Sequence, residues 1–326
     1  AMIFMPGRDA NSRRVDFDWT GMILMFICLF SLLTGLSNGS RDGWGSNIIL
    51  TYFSTAIITL IGFCIWEWHC KEPLLNLRIF GYIPFTASIV ISFVWGVGNF
   101  GLWYLVPLFV QIVQGYTPTR AGLLLMPASL LLAAIFPLAG RLSDWVAPRV
   151  PIVGGMFVTG VSCYLMSSAD LNTPFWLFVW WLIIGRVALG FVFPALTAGG
   201  LRALPADLVG QGAGLMSYFR QLGAAFGVTL LATTVESRTV MYAESFVATQ
   251  TSGNAATADF LREMRAALSR AGTPEALQGP GALNQLGQTL YEQATMIAYR
   301  DGFLLVAVFF FCAMIPAWFL NKTREG

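Results

Sequence analysis

Two arginines stand where an arginine is costly. Arg186 and Arg220 lie well inside the long apolar runs 174–201 and 210–235. A charge at the centre of a membrane span costs ~2.5–3.5 kcal/mol on insertion scales, so it faces a water-filled path or a partner. Gln221 follows Arg220, and two glycine pairs flank it, Gly210/Gly214 and Gly223/Gly227. Glycines at this spacing let a second helix approach closely. Arg220 therefore has two readings: a cation that locks helix packing through a carbonyl or carboxylate, or one on a transport path or gate. Asn99, Trp103, Tyr104, Gln111 and Tyr218 are further polar or aromatic groups within apolar runs. Walls of this kind, rich in aromatics and methionine, suit bulky, apolar or cationic compounds. A third charged group, Gly140-Arg141-Leu142-Ser143-Asp144-Trp145-Val146-Ala147-Pro148-Arg149, separates the apolar runs 118–139 and 150–168. It reads as a short charged turn at a membrane surface, holding an Arg-Asp-Arg cluster where two helices emerge.

Covalent chemistry finds little support in the same residues. The single histidine, His69, sits beside Glu67 and Lys71, and of the five cysteines Cys28, Cys64, Cys163 and Cys312 lie in apolar runs. No pair has metal or redox spacing. No Asp or Glu falls in the middle of an apolar run: Glu67 and Glu236 are at ends, and Asp144, Asp207 and Asp301 are in loops or at boundaries. A membrane-embedded enzyme needs clustered His, Cys or carboxylates at a membrane face, so one histidine and no buried acid argue against an enzyme. No cofactor and no metal are expected.

The elements that must position these groups follow from composition. The chain of 326 residues is 56% hydrophobic and 11% charged, with mean hydropathy +0.67; a soluble domain carries roughly 25% charge. This is the composition of an all-α polytopic membrane protein, since helices satisfy their own backbone in lipid. The net charge of +2 is spread over short loops and forms no patch for nucleic acid. Runs of about 20 apolar residues predict eight transmembrane helices, at 19–37, 47–66, 83–113, 118–139, 150–168, 174–201, 210–235 and 302–320. Pro127 and Pro137 should kink the fourth and Pro194 should break the sixth, with Gly199-Gly200 loosening its end. Ser37 to Gly43 reads as a turn, and the connector 70–82 as a short amphipathic piece on the membrane surface. Residues 1–16 read as the end of an earlier helix and a polar linker, 17–82 as two helices and the connector, and 83–326 as a six-helix bundle. Arg8, Arg13, Arg14, Lys71, Arg78, Arg141, Arg149, Arg202, Lys322 and Arg324 fall on one side and only Arg41 and Arg120 in short loops on the other. By the positive-inside rule the first side is cytoplasmic and holds both termini, in a plasma (inner) membrane.

Residues 236–298 form a polar insert on the outer side. Phe260, Leu261, Met264 and Leu268 share one helical face, as do Leu283, Leu286, Leu290 and Ile297. Thr273-Pro274-Glu275 reads as a helix start with Thr273 as cap, and Gly279-Pro280-Gly281 as the separator between helices. The insert is either a pair of amphipathic helices on the outer membrane face or a docking surface for an extracytoplasmic adaptor protein.

The charged segment, Gly-x-Leu-Ser-Asp-x-x-x-x-Arg at 140–149, resembles the Gly-x-Leu-Ala-Asp-Arg-x-Gly-Arg-Lys loop of major facilitator superfamily transporters. Trp145, Ala147 and Pro148 depart from it, as in the weaker second copy of that loop. Residues 216–227 resemble Gly-x-x-x-Arg-Gln-x-Gly-x-x-x-Gly, lacking only its first glycine, which looks like the thirteenth helix of the fourteen-helix drug:proton antiporters, the EmrB/QacA group. Pro107-Leu108-Phe109-Val110-Gln111, Gly115-Tyr116, Ala121-Gly122-Leu123 and Pro127 resemble the ninth-to-tenth helix junction of that group. The resemblance implies the C-terminal half of a major facilitator fold, with the first two spans as the group's extra helices and six more helices missing upstream. It implies proton-coupled efflux of small amphipathic compounds by alternating access, with Gly140, Arg141, Asp144 and Arg149 at the cytoplasmic gate. The carboxylates that carry protons would belong to the upstream half. The alternatives are transport of another small solute and a non-transporting membrane scaffold.

Overall fold

The computed structural model describes residues 18–69, 77–251 and 254–321. The expected stub and linker 1–16, most of the connector 70–82, and Lys71, Lys322 and Arg324 of the orientation argument lie outside the described residues. Among the described residues all regular structure is helical: α1 Trp19–Asp42, α2 Asn47–His69, α3 Ile83–Ile112, α4 Pro118–Trp145, α5 Arg149–Met166, α6 Phe175–Leu201, α7 Val209–Thr249, α8 Ala255–Arg270 and α9 Glu275–Ala317, with short 3-10 turns at Leu77–Gly81 and Trp318–Asn321. Seven of these helices are long and apolar enough to cross a bilayer, all but α7 and α8. The chain is an integral membrane protein.

Several expected breaks are helical instead. α1 continues through Ser37–Asp42, so the turn shrinks to Gly43–Ser46, with Gly43 at φ +84 where side chains are strained. Trp44 folds back onto Gly39, where a Cβ would strike its ring. α6 runs unbroken through Pro194, where a break was expected, while Pro127 and Pro137, expected to kink α4, lie inside it. A proline inside a packed apolar helix removes one backbone bond, which neighbouring groups can re-satisfy. Gly199 and Gly200 do not loosen α6: they are buried, against Pro148 and against Ser88 and Met216. α7 and α9 run far beyond the spans expected for them, and Gly279-Pro280-Gly281 lies within α9. Pro274, not Thr273, is the cap residue there, and no side chain caps it.

The chain forms two compact units, residues 1–78 and 79–326. The first contains the α1–α2 hairpin. The Asp18 carboxylate accepts from the Gly21 N–H at 2.9 Å and from Trp66 Nε1 at 3.0 Å, tying the start of α1 to the end of α2. Glu67 is only 4% exposed, which corrects the expectation of no buried acid. Its carboxylate lies over Gly21, in room that a Cβ would take.

The second unit is built on α3. Phe85, Phe109, Phe178, Phe303 and Phe310 are fully buried in its core. The Phe109 ring stacks on Phe178 at 5.5 Å and meets Phe303 edge-on at 5.6 Å, joining α3, α6 and α9. α3 and α7 cross backbone to backbone: a Cβ on Gly96 would strike the Arg220 carbonyl, one on Gly223 the Phe93 carbonyl, and one on Gly227 the backbone of Val97. α5 and α6 are joined by hydroxyls, Thr159 Oγ1 donating to the Gly185 carbonyl at 3.2 Å and Ser162 Oγ to the Trp181 carbonyl at 2.6 Å. Beyond the bundle, α7 and α9 continue side by side, with Tyr242 Oη donating to Asp301 Oδ2 at 2.8 Å. Asn254 caps α8, accepting from Ala256 N–H and Thr257 N–H. The apolar face of α8 turns to α9, where Leu268 reaches Gly281.

Candidate functional site

Trp95, Asn99 and Trp103 are spaced i, i+4, i+8 on α3, and Arg186 and Phe193 are spaced i, i+7 on α6. Each set forms one stripe of its helix. The two stripes meet. Arg186 Nη1 donates to Asn99 Oδ1 at 3.0 Å, and the guanidinium carbon lies 4.2 Å from the centre of the Trp103 ring. Arg186 is 3% exposed. Its Nη2 is buried with no hydrogen-bond partner among the described residues, an arrangement that costs free energy unless something compensates it.

The second level of the column lies seven residues along α6, about 10 Å at ~1.5 Å per residue. There the Phe193 ring packs on Trp95 at 5.4 Å and on Phe136 of α4 at 5.8 Å. Arg220 of α7 places its guanidinium carbon 5.0 Å from the Phe193 ring centre, and its Nη2 donates to Ser217 Oγ at 3.0 Å. Trp95 Nε1, like Arg186 Nη2, is buried without a partner among the described residues. Two cations are thus held by rings, an amide and a hydroxyl. No carboxylate pairs with either among the described residues. A guanidinium over an aromatic face is attracted by the ring quadrupole, by more when desolvated.

The remaining expected residues are placed less centrally. Gln111 donates to the Pro107 carbonyl of its own helix at 3.0 Å. Tyr104 is half-buried on α3, Tyr218 meets Phe219 edge-on, and Gln221 is exposed. Gly223 and Gly227 make the α3 crossing, whereas Gly210 and Gly214 have open space where a Cβ would stand. Pro194 follows Phe193 inside α6. The charged segment is a turn only at Val146–Pro148: Gly140, Arg141 and Asp144 lie in the last turns of α4. Arg141 is exposed, and the Asp144 side chain lies outside the described residues. Arg149 begins α5 and places its guanidinium carbon 3.4 Å from the Trp318 ring centre. Trp95, Phe193, Ser217 and Gly96 were not singled out by sequence reasoning. Gly96 could have been found from the run Gly96-Val97-Gly98 in an apolar helix; Trp95 and Phe193 are two aromatics among many.

Residues 69–228, which include both arginines, match the profile of the Major Facilitator Superfamily. The chain is 28% identical over 320 residues to the uncharacterized MFS-type transporter YhcA of Bacillus subtilis (strain 168), covering 96% of this chain and 59% of that protein. It is 29% identical to the multidrug transporter protein MdtP of the same organism, over 69% of this chain and 42% of the relative. It is 27% identical to the tetracenomycin C resistance and export protein of Streptomyces glaucescens, over 71% and 43%. The chain therefore spans about half the length of the relatives it matches.

Proposed function

We propose that this chain is the C-terminal part of a fourteen-helix drug:proton antiporter that exports small amphipathic compounds by alternating access. The observation that carries the reading is the cation–aromatic column. A membrane protein places arginine in an apolar bundle where a path or a partner needs it, and this column is half open: Trp103 is 43% exposed, and Asn99, Phe193 and Arg220 are half-buried. The names of the relatives, multidrug transporter and resistance and export protein, support export as the task. In this reading α7 also crosses the membrane, as the seventh of eight spans, and the end of the bundle holding Arg141 and Arg149 faces the cytoplasm, where Gly140, Arg141, Asp144 and Arg149 form the gate. The α7–α8–α9 extension then lies outside, as the surface an adaptor protein would meet. Apolar and aromatic parts of a substrate pack on Trp103, Trp95 and Phe193, and the arginines set the sign of charge the site accepts from whatever completes it. Protons are carried by carboxylates outside this chain, and the inward proton gradient drives the cycle.

The test is efflux of a fluorescent amphipathic dye from cells that lack their own pumps and express the full-length protein. The expected result is active efflux that collapses with a protonophore and is lost in Arg186→Gln. Dye retention equal to that of empty cells, across a panel of such compounds, would remove the drug-export reading. Efflux indifferent to the protonophore would remove the proton coupling alone.

A further inference from the structure

Where α3 and α5 begin and α9 finishes, the second unit carries a groove of about 750 Å³. Its walls include Tyr82, Ile83, Pro84, Arg149, Trp318 and Phe319. Three of these are large apolar groups facing outward: Ile83 and Trp318 are each 66% exposed and Phe319 58%. Arg149 stands among them, stacked against the Trp318 indole. Among the described residues no hydrogen bond or ion pair engages its guanidinium.

The chemistry of this groove asks for a ligand with two parts. A guanidinium held by its face against a ring keeps its N–H edges for an anion, and its planar fork matches the oxygens of a phosphate. The apolar walls ask for hydrocarbon. The location supplies both: α3, α5 and α9 are each apolar and long enough to span a bilayer, so their ends lie at the boundary between headgroups and acyl chains, where Trp and Tyr are also enriched. A soluble anion would leave Ile83 and Phe319 unused. A purely apolar partner would bury Arg149 without an acceptor.

We propose that this groove is a binding site for an anionic phospholipid, with the headgroup phosphate on Arg149 and the acyl chains along Ile83 and Phe319. Trp318 is the positioning residue that holds the guanidinium in place. The site is separate from the Arg186–Arg220 column and does not depend on what is transported.

Native mass spectrometry of the full-length protein in detergent, titrated with phosphatidylglycerol or with phosphatidylcholine of the same acyl chains, tests it. The wild-type protein retains more of the anionic lipid, and Arg149→Ala reduces that preference about fivefold, the equivalent of ~1 kcal/mol per basic residue at an anionic surface. Arg149→Lys keeps part of the preference, and Trp318→Ala lowers it while leaving the charge in place. Equal retention of the two lipids by the wild-type protein, or an unchanged preference in Arg149→Ala, overturns the site. Full competition by inorganic phosphate would make it a free-anion site and overturn the lipid assignment. A gain of bound lipid in Asp144→Asn would show that this carboxylate already occupies the guanidinium, and would overturn it too.

Discussion

The bundle and the extension beyond it treat arginine in opposite ways. In the α7–α8–α9 extension, two arginines find carboxylates: Arg238 lies 3.8 Å from Asp301 and Arg262 lies 3.2 Å from Asp259, with both arginines and Asp259 exposed to solvent and Asp301 half-buried. In the bundle, Arg186 and Arg220 find rings, an amide and a hydroxyl. Exposed pairs are screened and contribute little, with a median of ~0–1 kcal/mol. A buried guanidinium held only by neutral groups keeps its full charge available to something that comes and goes. Under the proposed function, the contrast separates charge used for solubility and local order from charge that a counter-ion on the transport path would meet.

The sharpest way to break this comparison is Arg186→Gln. Its contacts with Asn99 and Trp103 together amount to ~2–4 kcal/mol by ordinary magnitudes, so the initial rate of dye efflux should fall about tenfold or more at unchanged membrane insertion. Arg186→Lys should not rescue it, because an ammonium cannot both reach the amide and lie over the ring. Full activity in an inserted Arg186→Gln protein would place the path elsewhere.

Next come the glycines that bring Arg220 to the column. Gly223→Val should cost ~1–3 kcal/mol through overpacking, visible as a lower midpoint of thermal unfolding in detergent. Gly214→Ala, about two and a half turns earlier with open space where its Cβ would stand, should stay within about 0.5 kcal/mol of the wild type. Equal shifts in the two variants would mean that the α3–α7 crossing is not tight.

Trp103→Ala removes the ring but not the charge, and should weaken the column by ~0.5–2 kcal/mol. A reduced apparent affinity for aromatic dyes, with the maximum rate less affected than in Arg186→Gln, would mark the ring as a substrate wall.

The smallest effect belongs to the extension. Asp301→Asn should cost no more than ~1 kcal/mol, and less at high salt. The hydrogen bond to Asp301, with burial and the carboxylate's charge adding to it, raises the pKa of Tyr242 above its ordinary value. A raised folded-state pKa means that this contribution is present below the unfolded value near ~10 and is lost as pH rises through the folded one. Ultraviolet titration of the tyrosines should show one phenol ionising at lower pH in Asp301→Asn than in the wild type. An unchanged titration would remove the link.

Much of the helix order was legible, because long apolar runs have one solution in lipid. α2, α3, α5 and α6 start and stop within about three residues of their expected bounds, a scatter comparable with ordinary differences in assigning helix ends. The misplaced ends share a cause. Ser37–Asp42, Gly140–Asp144 and Gly279–Gly281 carry residues that favour turns in isolation, yet propensity is a weak prior once a helix is packed on its neighbours. Gly281 shows how packing prevails: the missing Cβ makes room for Leu268 of α8. The site was legible as a set of side chains but not as a geometry. Asn99 and Trp103 were visible as polar and aromatic interruptions, but nothing local joins them to Arg186, which is 87 residues from Asn99. Phe193 and Trp95 carry no signal of their own in a chain that is 14% aromatic.

The unbroken length of α7 has a mechanical consequence. From Glu236 to Thr249 the helix runs on for about 21 Å at ~1.5 Å per residue, with α9 beside it and α8 folded against α9. Such a segment is a lever arm. A tilt of about 10° where α7 crosses α3 at Gly223 and Gly227 would sweep its tip, roughly 33–39 Å from that crossing, through about 6 Å. A spin label near Thr249 would therefore act as an amplifying pointer, reporting rotations of the bundle too small to follow at the glycines themselves.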